Sequence, residues 1–115
     1  MKSFKSPQAD LTLSSIVLGL MRIAKMSDAD IRHLFDAAVD AGVTMIDHAD
    51  IYGGAPHVCE ARFGDAVKLS PADRERIMIQ SKAGIRKGYF DFSSEHITEA
   101  VEGSLKALRT EYLDV

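Results

Sequence analysis

Short apolar runs alternate with longer amphipathic stretches along this chain. "SIVLGLMRI" (15–23) is apolar and β-rich, interrupted only by Gly19, and predicts a strand. In "MSDADIRHLFDAAVDAG" (26–42), Ile31, Leu34, Phe35, Ala38 and Val39 recur at helical spacing and fall on one face. Ser27 with Asp30 three residues on has the form of a capping box, and Gly42 suits the position just past the helix end. "VTMIDHA" (43–49) has no polar alternation before Asp47, so it predicts a strand buried on both faces. A second helix is expected over 56–69, with Pro56 in its first turn. A surface turn over 70–76 follows, then a strand over 76–85. The segment 88–112 enters a helix near Ser93 or Ser94, with Ile97, Ala100, Val101, Leu105 and Leu108 as its apolar stripe. "YLDV" (112–115) reads as the opening of a fourth strand, and "FKSPQADLTLS" near the start as a short hairpin.

This order is a βα repeat of roughly thirty residues per unit, the size of a parallel-sheet crossover. The expected class is therefore α/β with a parallel sheet. The last predicted strand has only four residues, so residues 1–115 are expected to be the N-terminal part of a longer α/β protein, an incomplete single domain.

Composition narrows the function classes. The 115 residues are 46% hydrophobic and 27% charged, as in an ordinary soluble domain. Net charge is −3 with no basic run, which argues against nucleic acid or an anionic membrane as partner. No segment approaches the roughly 20 apolar residues of a membrane span, and the N-terminus lacks the apolar stretch of a secretory signal. A lone Cys59 cannot form an internal disulfide and fits a reducing cytoplasm.

The candidate chemistry lies at strand ends, where parallel α/β folds collect their sites. Gly19-Leu20-Met21-Arg22 closes the first strand; Asp47, His48, Asp50 and Tyr52 follow the second; Lys82 follows "IMIQS" in the third. In a barrel, Asp47, Tyr52 and Lys82 would face one mouth. A tyrosine of ordinary pKa, about 10, is a weak acid at neutral pH, and a nearby ammonium favours its ionised form. A carboxylate beside that lysine would hold it charged and oriented. Such a set can deliver a proton to the alkoxide that forms when hydride attacks a carbonyl.

"GVTMIDHADIYGG", "CEARFG", "IMIQSKAGI" and "SSEHITEAVEGSLKALRTEYLDV" together resemble the aldo-keto reductase superfamily, with "DHADIYGG" most similar to a bacterial branch of NADP-dependent oxidoreductases. The resemblance runs from about Ile16 to Val115. It implies a TIM-type (β/α)8 barrel, often preceded by a small hairpin, of which this chain would hold three βα units and the start of a fourth strand. It implies NADPH as cofactor and reduction of aldehydes or ketones to alcohols. Three members of the family's catalytic tetrad match Tyr52 as proton donor, Lys82 as the residue that tunes it, and Asp47 as the lysine's partner. The fourth, a histidine, would lie beyond Val115, as would the segment for the 2′-phosphate. Gly19, Leu20, Met21 and Asp47 match contacts to the nicotinamide ribose, and Arg22 also fits that branch. The chain alone is expected to be inactive.

Each residue also has a plainer reading. Tyr52 alone is a packed aromatic, Lys82 alone a solvated strand-end lysine, and Asp47 alone a turn cap. His48 reads as structural, turned towards the helices, and Asp50 as a backbone partner in its loop. His33, His57 and His96 read as solvated, and Cys59 as a helix-core thiol. Two other functions compete with the reductase. A metal-dependent barrel hydrolase or isomerase would use Asp47, His48, Asp50 and His57, but the usual H-x-H and H-E-x-x-H spacings are absent, and no metal is expected. A cofactor-binding subunit without turnover would keep the pocket but has no need of the intact trio. The physiological substrate and oligomeric state are left open, as is the choice of NADPH over NADH.

Overall fold

The computed structural model describes Met1–Val115. Strands β1 (Ser3–Lys5) and β2 (Thr12–Ser14) form the expected hairpin, antiparallel with Ser3 opposite Ser14. The hairpin is tied to residue 44 by a reciprocal pair of bonds. Ser14 N donates to Thr44 Oγ1 at 3.0 Å, and Thr44 N donates to Ser14 Oγ at 2.9 Å. Because Thr44 immediately precedes a strand of the central sheet, the hairpin sits at the opposite end of that sheet from its strand C-termini.

The central sheet is parallel, in the order β3 (Val17–Gly19), β4 (Met45–Asp47), β5 (Met78–Gln80). Gly19, Asp47 and Gln80 share one row at its C-terminal edge. Helix α1 (Asp28–Asp40) crosses from β3 to β4; α2 (Val58–Val67) and α3 (Pro71–Arg76) cross from β4 to β5. These helices cover one face of the sheet. Ile46 and Ile79 point into that side and pack with Phe35, Phe63, Val67 and Leu108. Phe35 meets Phe63 edge-on with centroids 5.7 Å apart, the geometry aromatic quadrupoles favour. Met45 is buried as well, so β4 is covered on both faces as its unbroken apolar run predicts.

The ladders are shorter than the sequence runs, but cross-strand bonding continues past them. His48 N donates to Gln80 O, and Asp50 N donates to Lys82 O. Four elements differ from expectation, the last of them at residues 112–115. Residues 70–76 hold helix α3 rather than a bare turn. Its capping box joins Ser70 and Asp73 reciprocally, and Pro71 occupies its first turn. Helix α2 starts at Val58, so Pro56 lies outside it. The N-cap His57 has φ +65°, and its N–H is taken by Asp50 O at 2.6 Å, which keeps the preceding turn from joining the helix. The segment after β5 leaves the sheet and forms a small hairpin of β6 (Ile85–Arg86) and β7 (Tyr89–Phe90). It bends at Gly84, φ +109°, where a Cβ would collide with the Phe92 ring.

Helix α4 (Ser94–Leu108) follows, with Ser93 as its N-cap. It approaches α2 at Gly64, where a Cβ would overlap the carbonyl oxygen of Ala107. Residues 112–115 are not a ladder strand but run beside β5, with Asp114 N donating to Ile79 O at 2.9 Å and Ser81 N to Val115 O at 3.2 Å. Buried Arg74 clamps this segment: its guanidinium donates to Asp114 Oδ2 at 2.7 Å and to Tyr112 O at 2.9 Å, and lies 3.7 Å from the Tyr112 ring centroid.

Candidate active site at the strand C-termini

The sheet register brings together three side chains that are far apart in sequence. Asp47 ends β4, Tyr52 sits in the loop after it, and Lys82 lies two residues beyond β5. Lys82 Nζ donates to Asp47 Oδ1 at 2.6 Å, to His48 O at 2.8 Å and to Tyr52 Oη at 3.1 Å. All three ammonium protons therefore have an acceptor. Burial pulls the Lys82 pKa down, but the bonds to Asp47 and Tyr52, with their charges, outweigh it and leave it raised. The lysine is thus held as a cation. Because the Tyr52 oxygen accepts from Lys82, its own O–H remains available as a donor.

Asp47 is committed on one oxygen only. Oδ1 takes both Lys82 Nζ and Gln80 Nε2, while Oδ2 has no protein partner. Next to Asp47 in the row, a Cβ at Gly19 would meet nothing within 4 Å. Open space therefore lies above that strand end, beside a free carboxylate oxygen. Met21 is exposed. Leu20 is buried in the core, backbone as well as side chain, and its N–H donates to Asp47 O, so it presents no open surface to a ligand.

The loop that carries Tyr52 is anchored underneath. Asp50 is buried and pairs with Arg86 Nη1 at 2.9 Å, a side-chain role beyond the backbone one expected of it. Tyr52 N donates to Ala49 O, and Cys59 N donates to Tyr52 O. His48 does turn to the helix side, with its ring edge-on to Phe63 at 5.0 Å. Neither ring nitrogen has a hydrogen-bond partner. Burial is the main cause that lowers its pKa to about 4; the Asp47 charge opposes this and the Lys82 charge adds to it. Burial likewise pushes the Cys59 thiol up, against backbone bonds at Ile23 and Ala24 that pull it down, so it is a packed thiol rather than a nucleophile.

Glu60, like Arg74, is a buried ionisable group that the sequence did not signal. It lies among helical residues with no motif to mark it, yet it is fully buried between Ser81 and His57. His57 is correspondingly only partly exposed, not solvated. No group of three or more His, Cys, Asp or Glu side chains converges to hold a metal. Asp47 faces Lys82, Asp50 faces Arg86, and His48 is enclosed in the core.

The family model for the aldo/keto reductase family matches residues 15–115. The chain belongs to this family. It is 41% identical over 118 residues to the uncharacterized oxidoreductase YcsN of Bacillus subtilis, covering 92% of this chain and 39% of the relative. It is 40% identical over 112 residues to the oxidoreductase YdhF of Escherichia coli, covering 89% and 37%. A 6-dehydroglucose reductase of Agrobacterium fabrum is 35% identical, covering 91% and 39%. Among solved structures, the holo form of the aldo-keto reductase AKR11C1 from Bacillus halodurans superposes with a TM-score of 0.82 at 29% identity, covering 99% of this chain and 38% of that one. The α/β architecture is accordingly part of a TIM-barrel fold. The chain spans about two fifths of the length of the curated relatives it matches.

Proposed function

We propose that the protein carrying this chain is an NADPH-dependent reductase of aldehydes or ketones, with Tyr52 as proton donor, Lys82 and Asp47 as its partners, and a cytoplasmic location. The observation that carries this reading is the placement of Lys82 Nζ between Asp47 Oδ1 and Tyr52 Oη, at 2.6 and 3.1 Å, on the C-terminal edge of a parallel sheet. The nicotinamide, when bound, supplies the hydride that reduces the carbonyl carbon. Tyr52 then gives its free O–H proton to the carbonyl oxygen. The Lys82 ammonium stabilises the negative charge left on the phenol oxygen, as a preorganised cation does best in a partly desolvated site. Asp47 keeps that ammonium charged and aimed.

Residues for the nicotinamide ribose are compatible with this reading. The free Oδ2 of Asp47 can accept from a ribose hydroxyl, Gly19 leaves room for its approach, and exposed Met21 offers an apolar wall. A barrel hydrolase would need Asp47 and Asp50 free to ligate, and both are paired with cations. The 115 residues contribute three parallel strands, so by themselves they should not turn over a carbonyl. The test is an absorbance assay of NADPH oxidation by the full-length protein against simple aldehydes and against 6-dehydroglucose, the latter chosen because a relative is a 6-dehydroglucose reductase. Carbonyl-dependent oxidation is expected. No oxidation with any carbonyl, at saturating cofactor, would overturn the proposal.

A further inference from the structure

A buried carboxylate behind the site links the loop of Tyr52 to the strand of Lys82. Glu60 Oε1 accepts from Ser81 Oγ at 2.6 Å, and Glu60 Oε2 lies 2.6 Å from His57 Nδ1. Ser81 is bonded covalently to Lys82, and Lys82 O accepts from Asp50 N at 3.0 Å. His57 N donates to Asp50 O at 2.6 Å. Followed round, Ser81, Glu60, His57, Asp50 and Lys82 form a closed circuit of short bonds directly beneath the trio. Tyr52 lies within the segment that this circuit pins at Asp50 and His57.

The chemistry of Glu60 fits this use. A fully buried carboxylate is costly to keep unless each oxygen is engaged, and both are. Its place in the first turn of α2 adds a favourable helix field. His57 reaches it from a left-handed N-cap, a conformation uncommon for a residue other than glycine. The Nε2 edge of the same ring fills the space beside Gly103 of α4, where a Cβ would collide with it. His57 is thus locked between α4 and Glu60.

We infer that Glu60, through Ser81 and His57, is a positioning residue that sets the separation of Lys82 Nζ from Tyr52 Oη. This rests on the reductase reading above. Misplacement of reacting groups by a fraction of an ångström is costly in rate, so loosening the circuit should slow chemistry more than binding.

The experiment compares Ser81→Ala, Ser81→Thr and Tyr52→Phe in the full-length protein. Ser81→Ala removes one hydroxyl and leaves Glu60 its bond to His57, so the fold should survive; circular dichroism checks this. The expected result is a fall in kcat of roughly tenfold, with KM and the NADPH dissociation constant within about twofold. The solvent isotope effect on kcat should rise, because proton transfer is the step loosened. Ser81→Thr restores the hydroxyl and should restore kcat. A folded Ser81→Ala variant with unchanged kcat, or with a loss confined to KM, would overturn the positioning role, as would failure of Ser81→Thr to rescue. Tyr52→Phe separates the two levels. If it retains activity, the reductase assignment of Tyr52 fails. If it is inactive while Ser81→Ala is normal, only the positioning role fails.

Discussion

Replacing Lys82 by Met removes the cation from the site and keeps most of the side-chain volume. The ammonium lies 3.1 Å from the Tyr52 oxygen. At that distance a unit charge on the oxygen interacts by about 1 kcal/mol in water and about 5 kcal/mol at an effective dielectric of 20. The Lys82 side chain is 46% exposed, so solvent screening places the effect near the middle, about 2–3 kcal/mol. Loss of that stabilisation in the transition state lowers the rate by about 30- to 200-fold. Asp47 also loses its charged partner and retains only Gln80, which adds to the damage. Single-turnover oxidation of bound NADPH by a saturating aldehyde reads the chemical step, and fluorescence titration reads cofactor affinity separately. A fall of less than about threefold, with a folded protein and normal cofactor affinity, would refute the role given to this charge.

Two further outcomes concern stability. His48 stays neutral in the fold until pH about 4, whereas the unfolded chain takes up its proton near pH 6.5. As pH falls, the unfolded state therefore binds the proton first, so stability is complete above pH 6.5 and is lost between 6.5 and 4, by up to about 3 kcal/mol. Urea titrations across that range check the slope, and a His48→Phe variant, packed on Phe63 without a titrating ring, should show less of it. Gly64→Ala should destabilise by about 1–3 kcal/mol, since α2 must move away from Ala107 O; an unchanged thermal midpoint would show that the helices are not in tight contact there.

The trio and its sheet edge were legible in the sequence for a physical reason. A parallel strand buried on both faces reads as an unbroken apolar run, so the first charged residue after it marks the strand end, and Asp47 stands there. Helix α1 was equally open, because Ser27, the apolar stripe and Gly42 agree with one another. Helix α3 carried its own signal in Ser70, Pro71 and Asp73, but its six residues resemble a turn. The hairpin after β5 was hidden by Ile85, which looks like a continuation of the strand. It leaves the sheet because Gly84 bends the chain and Arg86 is drawn to Asp50. Glu60 could not be picked out, since a glutamate in a helix is ordinarily solvated, and only the packing of Ser81 and His57 against it shows otherwise. The reach of Asp50 to Arg86 and the clamp of Arg74 on residues 110–114 are likewise long-range pairings with no local signature.

The central claim is that the Tyr52 hydroxyl supplies the proton. Tyr52→Phe deletes that hydroxyl alone. The ring can still pack, and the loop bonds at residue 52 are made by backbone atoms. Single-turnover reduction of an aldehyde by this variant, with NADPH prebound at saturation, isolates the step. The account predicts that NADPH binds with near-normal affinity and that reduction falls by at least about a hundredfold, the scale of a lost general acid. Reduction at close to the unmodified rate would contradict it.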